Sequence, residues 1–232
     1  MKKRLIHWLG LTGILALLSY TAAVVFSPMA YPGYNWMAQA VSDLSAEAAP
    51  SRPLWNQLAA PYNICGVVCA TCAALFVSQN QVGTRLFRGG ICLFMAMNWV
   101  SALGYGMFPL ADGGKEIASF QEIMHMAVTA AVVLLSIASL VCLIIAGCRE
   151  KTVRGIGLWA AVVLALMMVG SIGTGLVPPQ YFGIVERFSV FAAVGFNAVL
   201  GMYLFQDFKK AGGIEHGSYD RAGQLFCESV PL

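Results

Sequence analysis

The chain has 232 residues, of which 59% are hydrophobic and only 11% are charged. Soluble domains carry about 25% charged residues, so this chain has too few polar side chains to coat a water-soluble globule. The formal net charge of +3 is small, and no basic patch interleaved with aromatic residues is present. These features exclude the common nucleic-acid-binding classes and indicate an integral membrane protein.

Six stretches are long and apolar enough to cross a hydrocarbon core, which takes about 20 residues in a helix. The predicted fold class is all-α: a polytopic membrane protein with six transmembrane helices in one domain over residues 1–205. An outer loop at 27–57 and a flexible cytoplasmic tail at 206–232 complete the chain. The helices are predicted at about 5–26, 58–77, 89–108, 123–146, 156–177 and 188–205.

The first stretch has an alternative reading as a signal peptide, because Lys2, Lys3 and Arg4 precede an apolar run and Thr21-Ala22-Ala23 resembles a cleavage site. The run is longer than the usual h-region of about 7–15 residues, and five further apolar segments follow it. We therefore expect an uncleaved helix.

The distribution of positive charge predicts which way the helices run. If the N-terminus is cytoplasmic, the outer segments hold only Arg52, Lys115 and Arg187. The inner segments then hold the other eleven of the 14 cations: Lys2, Lys3, Arg4, Arg85, Arg88, Arg149, Lys151, Arg154, Lys209, Lys210 and Arg221. The positive-inside rule therefore predicts that both termini are cytoplasmic, in a cell membrane that we expect to be a bacterial inner membrane.

The longest predicted loop lies on the outer side and reads SPMAYPGYNWMAQAVSDLSAEAAPSRP from Ser27. Residues 36–48 contain good helix formers without Pro or Gly, which predicts a short helix at the outer surface or over the mouth of the bundle. Ser51 followed by Pro53 is typical of a helix start, here that of the second transmembrane helix.

Polar residues follow helical spacing at the predicted outer ends of the helices. Glu122, His125, Thr129 and Ser136 fall on one stripe of the fourth helix, and Glu186 and Asn197 share a stripe of the sixth. Polar groups at membrane depth face the bundle interior. We therefore predict a polar pocket that opens outward and contains Asp43, Asn63, Asp112, His125, Glu186 and Arg187, above a floor formed by Asn98 and Asn197.

Local roles compete with this interpretation. Acids near helix N-termini stabilise the helix dipole, so Glu122 and Glu186 have an alternative explanation as end charges. Cys65, Cys69 and Cys72 share one helix face but have no nearby His or acid, so they are predicted to be packing residues. Gly170 to Gly175 lacks the strand and lysine of a phosphate loop, which favours close helix packing instead.

Several chemistries remain open from the residues. Asp43, Asp112 and His125 are weak candidates for ligands of a divalent metal, which a hydrolase acting on lipid would use, although one His makes a poor zinc site. The same residues could instead act in acid–base hydrolysis. A proton-linked transporter would use His125 and Glu186 as titrating groups. A bis-His haem is not expected, and no cofactor is predicted.

Several motifs together resemble a known family. They are the outer loop with Ser42-Asp43, GMFPLAD at 106–112, His125 on the next helix and ERFSVF at 186–191. These features, over about residues 5–205, resemble bacterial and archaeal integral membrane proteins grouped as the domain of unknown function 998 family. The resemblance implies a six-helix bundle and a recurring use of Ser42-Asp43, Asp112 and His125, but no activity. The sequence thus favours a non-enzymatic protein that binds a membrane lipid or a small solute; the hydrolase and the transporter are alternatives.

Overall fold

The structure is a computed structural model that describes residues 4–111 and 119–208. Its α-helices are α1 (Leu5–Leu9), α2 (Thr12–Phe26), α3 (Arg52–Gln79), α4 (Arg85–Met107), α5 (Phe120–Arg149), α6 (Arg154–Leu176) and α7 (Phe182–Phe205). Within the described residues there is no strand, and six helical spans are long and apolar enough to cross a membrane. The predicted all-α fold with six transmembrane helices is confirmed. Residues 209–232 of the predicted tail lie outside the described part.

The helices pack as a ring in chain order. Each helix from α2 to α6 contacts the next one, α7 closes the ring against α2, and α3 also touches α7. Residues 27–51 lie at one end of this ring, which we call the long-loop end. Among the described cations, only Arg52 and Arg187 belong to this end, and the others lie at the opposite end: Arg4, Arg85, Arg88, Arg149, Lys151 and Arg154. Which end faces the cytoplasm remains a prediction from charge.

Two helix boundaries differ from the prediction in ways that matter for the site. The last helix begins at Phe182 instead of near 188, after a short 3-10 turn at Pro179–Tyr181. Glu186 and Arg187 therefore lie inside a helix, where their charges require partners from other segments. The first span is interrupted at Gly10 and Leu11, between α1 and α2. A side chain at Gly10 would collide with the backbone of Gly201 on α7, so this break accompanies a close backbone contact.

Glycines let the backbones of α5 and α6 touch at the end opposite the long loop. A Cβ added at Gly147 would lie 2.7 Å from the Cα of Gly157, and one added at Gly157 would lie 2.8 Å from the Cα of Gly147. Neither backbone atom can move aside as a side chain would. Small residues of this kind bring transmembrane helices within van der Waals contact, which is a main source of helix association in lipid. The glycine-rich segment of α6 also packs closely, since a Cβ at Gly170 would lie 2.5 Å from that of Ser189.

We expect Gly157→Ala to destabilise the protein, because overpacking a tight contact costs about 1–3 kcal/mol. Gly195→Ala is the matched control, since a Cβ at that helical position meets nothing within 4 Å. Thermal unfolding of the purified protein in detergent should show a lower midpoint for Gly157→Ala and an equal or higher one for Gly195→Ala. Equal midpoints for the two variants would contradict this packing.

The sidedness of the ring can be tested separately. A fluorescent protein fused after residue 82 should fold and fluoresce in the cytoplasm, and alkaline phosphatase fused after residue 48 should be active, because the positive-inside rule places these positions on opposite sides. A fusion after residue 82 that does not fluoresce, together with an inactive phosphatase after residue 48, would show that the predicted orientation is wrong.

Candidate functional site

A cavity of about 780 Å³ extends from the long-loop end into the middle of the bundle. Helices α3 to α7 form its walls, Tyr20 of α2 contributes at one side, and residues of the long loop and of 109–110 line it at the end. Its volume lies in the range of about 300–1,000 Å³ that is typical of small-molecule pockets. From Glu186 near the mouth to Asn197 at the deepest point of α7, eleven helical residues span about 16 Å.

The polarity of the cavity wall changes with depth. Its ionisable groups at the mouth are Arg52, His125 and Glu186. The middle of the wall is largely apolar and includes Ala59, Ala102, Val132, Val133, Met167, Val190, Ala193 and Val194. The floor is polar again but uncharged, with Asn98, Ser136 and Asn197.

The two floor asparagines form a hydrogen-bonded pair in the interior. Asn197 Nδ2 donates to Asn98 Oδ1 at 2.8 Å, and Asn98 Nδ2 donates to the carbonyl oxygen of Phe94 at 2.9 Å. Asn197 is only 2% exposed, and its Oδ1 accepts no hydrogen bond from the described residues. An unsatisfied buried polar atom costs about 1–3 kcal/mol, and no donor among the described residues satisfies this oxygen.

A packed aromatic layer closes the bundle beneath these asparagines. The rings of Phe94 and Phe196 meet edge to face with centroids 5.0 Å apart, and both are fully or almost fully buried. Phe76 stacks on Phe208, and the same cluster contains Leu140, Leu143, Leu200 and Leu204. The cavity therefore ends close to the asparagines, and its deepest described lining residues on α3 to α7 are Asn63, Met97, Ser136, Met167 and Asn197.

A proline shapes the α3 wall of the cavity. Pro61 lies inside α3, where it removes a backbone N–H donor and crowds the preceding turn. Ser19 of α2 fills the opened turn: its hydroxyl donates to the carbonyl oxygen of Leu58 and accepts from the N–H of Tyr62. The hydroxyl of a neighbouring helix thus satisfies the backbone groups that the proline disturbs, as lipid surroundings require. Tyr62 and Asn63, which follow directly, both line the cavity.

His125 is held in a defined orientation on the wall formed by α5. Its Nδ1 lies 2.8 Å from the carbonyl oxygen of Phe108, an atom that can only accept, so Nδ1 carries the proton. In the neutral ring, Nε2 then keeps its lone pair. The ring packs beside Tyr105, whose hydroxyl donates to Thr129 Oγ1 at 3.1 Å. His125 is therefore positioned to act as an acceptor at the mouth.

Arg187 binds the long loop to the start of α7. Its guanidinium donates to the carbonyl oxygens of Gln39 at 3.2 Å and of Gly183 at 2.6 Å, and to the hydroxyl of Tyr34 at 2.9 Å. The Tyr34 hydroxyl in turn donates to the carbonyl oxygen of Ala40 at 2.8 Å. One cation thus fixes residues 34–40 of the loop against the helix.

Two carboxylates complete this contact. Glu186 Oε2 accepts from the N–H of Val41 at 3.1 Å, and Asp43 Oδ2 accepts from the N–H of Ala40 at 3.2 Å. Burial raises the pKa of the Asp43 carboxyl above its ordinary value, and the Ala40 N–H and the positive charge of Arg187 offset part of that rise. Val41 and Ser42 then reach the cavity, so the docked loop forms part of its roof.

The predicted α-helix at 36–48 is wrong. Turns occupy residues 36–38, and the only helical piece in this segment is a 3-10 helix at Ser42–Ser45. The backbone groups bond to distant partners instead: the carbonyl oxygen of Met37 accepts from Gly183 and Ile184, and Val41 donates to Glu186. These tertiary hydrogen bonds outweigh the local helix propensity on which the prediction relied.

A family model described as a protein of unknown function (DUF998) matches residues 14–203. The chain belongs to the DUF998 family. The matched region includes the long loop and most of the helical ring. Comparison with curated proteins and with solved structures gave no significant match.

The structure separates the sequence-predicted site residues of this DUF998 protein into two groups. Asn63, His125 and Glu186 line the cavity, whereas Asp43 and Arg187 hold the long loop in place. Asp112 lies outside the described residues, so the predicted metal set of Asp43, Asp112 and His125 stays a prediction. Within residues 4–111 and 119–208, no group of three His, Cys, Asp or Glu side chains is close enough to hold a metal ion.

Glu122 has the local role that its position predicts. It forms a capping box with Ser119 at the start of α5: Glu122 Oε2 accepts from the Ser119 N–H at 2.9 Å, and Ser119 Oγ accepts from the Glu122 N–H at 3.2 Å. This reciprocal pair satisfies two backbone donors at the helix start. Glu122 does not line the cavity, although it shares a stripe with His125.

Sequence reasoning missed several hydroxyl groups of the cavity wall, among them those of Tyr62, Ser101 and Tyr105. Ser101 and Tyr105 lie three and seven residues after Asn98 on α4. This spacing places them on the same helix face as Asn98, so helical periodicity could have identified them. Tyr62 is hydrogen-bonded to the side chain of Ser101 and precedes Asn63. Tyrosines of membrane proteins are enriched at the membrane–water interface, so Tyr62 was not assigned to the cavity from the sequence.

We expect Arg187→Gln to release the long loop, because the guanidinium makes two hydrogen bonds to the loop and each bond to a charged group contributes about 1.5–3 kcal/mol. Amide hydrogen exchange of residues 34–45 should accelerate by at least about tenfold. Arg52→Gln is the matched control, because its contact with Glu47 is a partly exposed pair at 3.6 Å and contributes little. Unchanged exchange in Arg187→Gln, or an equal effect of both variants, would contradict the role of Arg187.

Proposed function

We propose that this DUF998 protein binds an amphiphilic small molecule, supplied by the membrane, in the cavity enclosed by α3 to α7. The observation that carries the proposal is a blind cavity of about 780 Å³ with apolar walls and polar groups at both ends. Such a lining suits a ligand that has an apolar body and a few polar atoms. In the orientation that charge predicts, the mouth of the cavity faces the outer side of the membrane.

The closed floor favours binding over transport. A transport pathway needs a continuous polar route, but the aromatic pair Phe94–Phe196 and the leucines beneath it fill the bundle below Asn98 and Asn197. The deep half of the cavity has no ionisable side chain other than tyrosine among its described lining residues. An ion or a proton carrier at that depth would lack the charged partners that buried charges require.

The roof supports retention of a ligand. The long loop is joined to the segment after α4, because the N–H groups of Glu47 and Ala48 donate to the carbonyl oxygens of Leu110 and Ala111 at 2.7 Å and 3.3 Å. Gln121 connects the same parts, donating to Glu47 Oε2 at 3.0 Å and to the carbonyl oxygen of Pro109 at 2.9 Å. These bonds fix the residues over the mouth and reduce the entropy that ligand binding would otherwise cost.

The test introduces larger side chains into the cavity wall and measures how much ligand the purified protein retains. Protein purified in a mild detergent should retain one bound amphiphile, detectable by native mass spectrometry and by extraction of its lipids. Ala193→Phe places a ring in the cavity wall and should reduce the bound fraction by about tenfold or more. Ala165→Phe is the matched control, because Ala165 is exposed on α6 and does not line the cavity.

Ala102→Phe, which narrows the cavity from α4, provides a second variant in case Ala193→Phe does not fold. The proposal fails if the wild-type protein retains no molecule, or if the folded cavity variants retain as much of it as the control does.

A further inference from the structure

We infer that the cavity floor recognises an uncharged hydroxyl group, so that the bound amphiphile is a long-chain alcohol held with its hydroxyl against Asn197 and its chain toward the mouth. This inference rests on the proposed function and deepens it by assigning the ligand's chemical class and direction. It follows from the hydrogen-bonding capacity of the floor, from the absence of charge among the described residues there, and from the polarity of the wall above it.

The first argument is the acceptor left over at the floor. Asn98 and Asn197 arrange their amides in a chain that ends on the carbonyl oxygen of Phe94, which leaves Asn197 Oδ1 without a partner from the described residues. Ser136 lies on the same floor and donates its proton to the carbonyl oxygen of Val132 at 2.7 Å, so its oxygen is also left as an acceptor. The floor thus holds buried acceptors that a ligand able to donate a hydrogen bond would satisfy.

The second argument is the absence of charge near that acceptor. Among the described lining residues, the cavity has one cation (Arg52), one imidazole (His125) and one carboxylate (Glu186). All three lie at the mouth. Glu186 is about 16 Å from Asn197 along α7. A carboxylate, phosphate or ammonium group at the floor would lack a counter-ion in a region of low dielectric constant, which is strongly unfavourable. A hydroxyl group donates without carrying charge, and its own oxygen can accept from the second hydrogen of an amide.

The third argument is the wall between the floor and the mouth. Valine, alanine and methionine side chains line much of the intermediate part, including Val132, Val133, Ala193 and Met167, and the polar groups between them are uncharged hydroxyls. An alkyl chain fits the apolar part of this surface, whereas a zwitterionic headgroup would meet no counter-charge there. A hydroxyl group followed by an apolar chain therefore matches the order of polarity from the floor outward.

The experiment compares dodecanol, dodecanoate and dodecane, each carrying a photoactivatable diazirine, on the full-length protein in lipid nanodiscs. Dodecanol should label cavity peptides about tenfold more efficiently than dodecane, because only its hydroxyl satisfies Asn197 Oδ1. Dodecanoate should label no better than dodecane. A diazirine beside the hydroxyl should mark the peptides around Asn98 and Asn197, and one at the far end of the chain should mark residues nearer the mouth, such as those around Tyr105 and Val190.

The double variant Asn98→Leu/Asn197→Leu removes both amides together, so neither is left with a broken partner and the fold is expected to survive. It should bind dodecane and dodecanol equally. Asn56→Leu is the matched control, because this cavity amide lies one helical turn from Arg52 at the mouth, and it should keep the preference for dodecanol.

The outcomes distinguish this inference from the proposed function. If no probe labels the cavity, both fail. If the probes label it with equal efficiency, if dodecanoate is preferred, or if the hydroxyl end maps to the mouth, the alcohol assignment fails and the binding function stands. The wild-type labelling pattern decides these points even if the double variant does not fold.

Discussion

The structure depends on one constraint: polar groups within a membrane-spanning bundle have to find partners inside the protein. Asn98 and Asn197 lie on different helices, and their amide–amide bond joins α4 to α7 in the interior. Each amide can make several hydrogen bonds and the pair uses only some of them, so hydrogen-bonding capacity remains at the cavity floor. The aromatic layer below fills the space in which a polar path would otherwise continue. The position of these two amides thus determines where the cavity stops.

The same constraint explains the conformation of the long loop. Arg187 lies within the membrane span Pro179–Phe205, where an unpaired cation would be costly. The loop supplies the carbonyl oxygen of Gln39 and the hydroxyl of Tyr34, and Glu186 receives the N–H of Val41 in return. A regular helix at 36–48 would have used these backbone groups internally. The loop is therefore irregular because it satisfies two charged side chains, and its docked form covers the cavity.

The extent to which the sequence predicted this structure follows from the same physics. The length of the apolar stretches predicted all six spans. Helical periodicity, which is local and regular, predicted that His125 and Ser136 share one face of α5 and that Glu186 and Asn197 share one face of α7. The boundary at Phe182 was not predicted, because Glu186 and Arg187 look like end charges until the loop that binds them is known. The separation of Asp43 from the cavity wall was likewise hidden, since it depends on a fold of the loop that no local propensity encodes. The unpaired oxygen of Asn197 emerges only from the hydrogen-bond arrangement in three dimensions.

The distribution of polar and apolar groups along the cavity determines which kind of ligand can bind there. Charged and titratable groups lie at the mouth, where the membrane surface and the loop can stabilise them, and uncharged amides lie about 16 Å deeper. A strongly hydrated solute would lose its water on the apolar wall between these levels, whereas an alkyl chain gains from burial at about 25 cal/mol per Å² of apolar surface removed from water. A ligand already dissolved in the bilayer gains less from that term, because it leaves lipid and not water. For the proposed alcohol, whose hydroxyl is hydrogen-bonded at the membrane surface before binding, the preference would come from packing against the apolar wall together with the hydrogen bond at the floor.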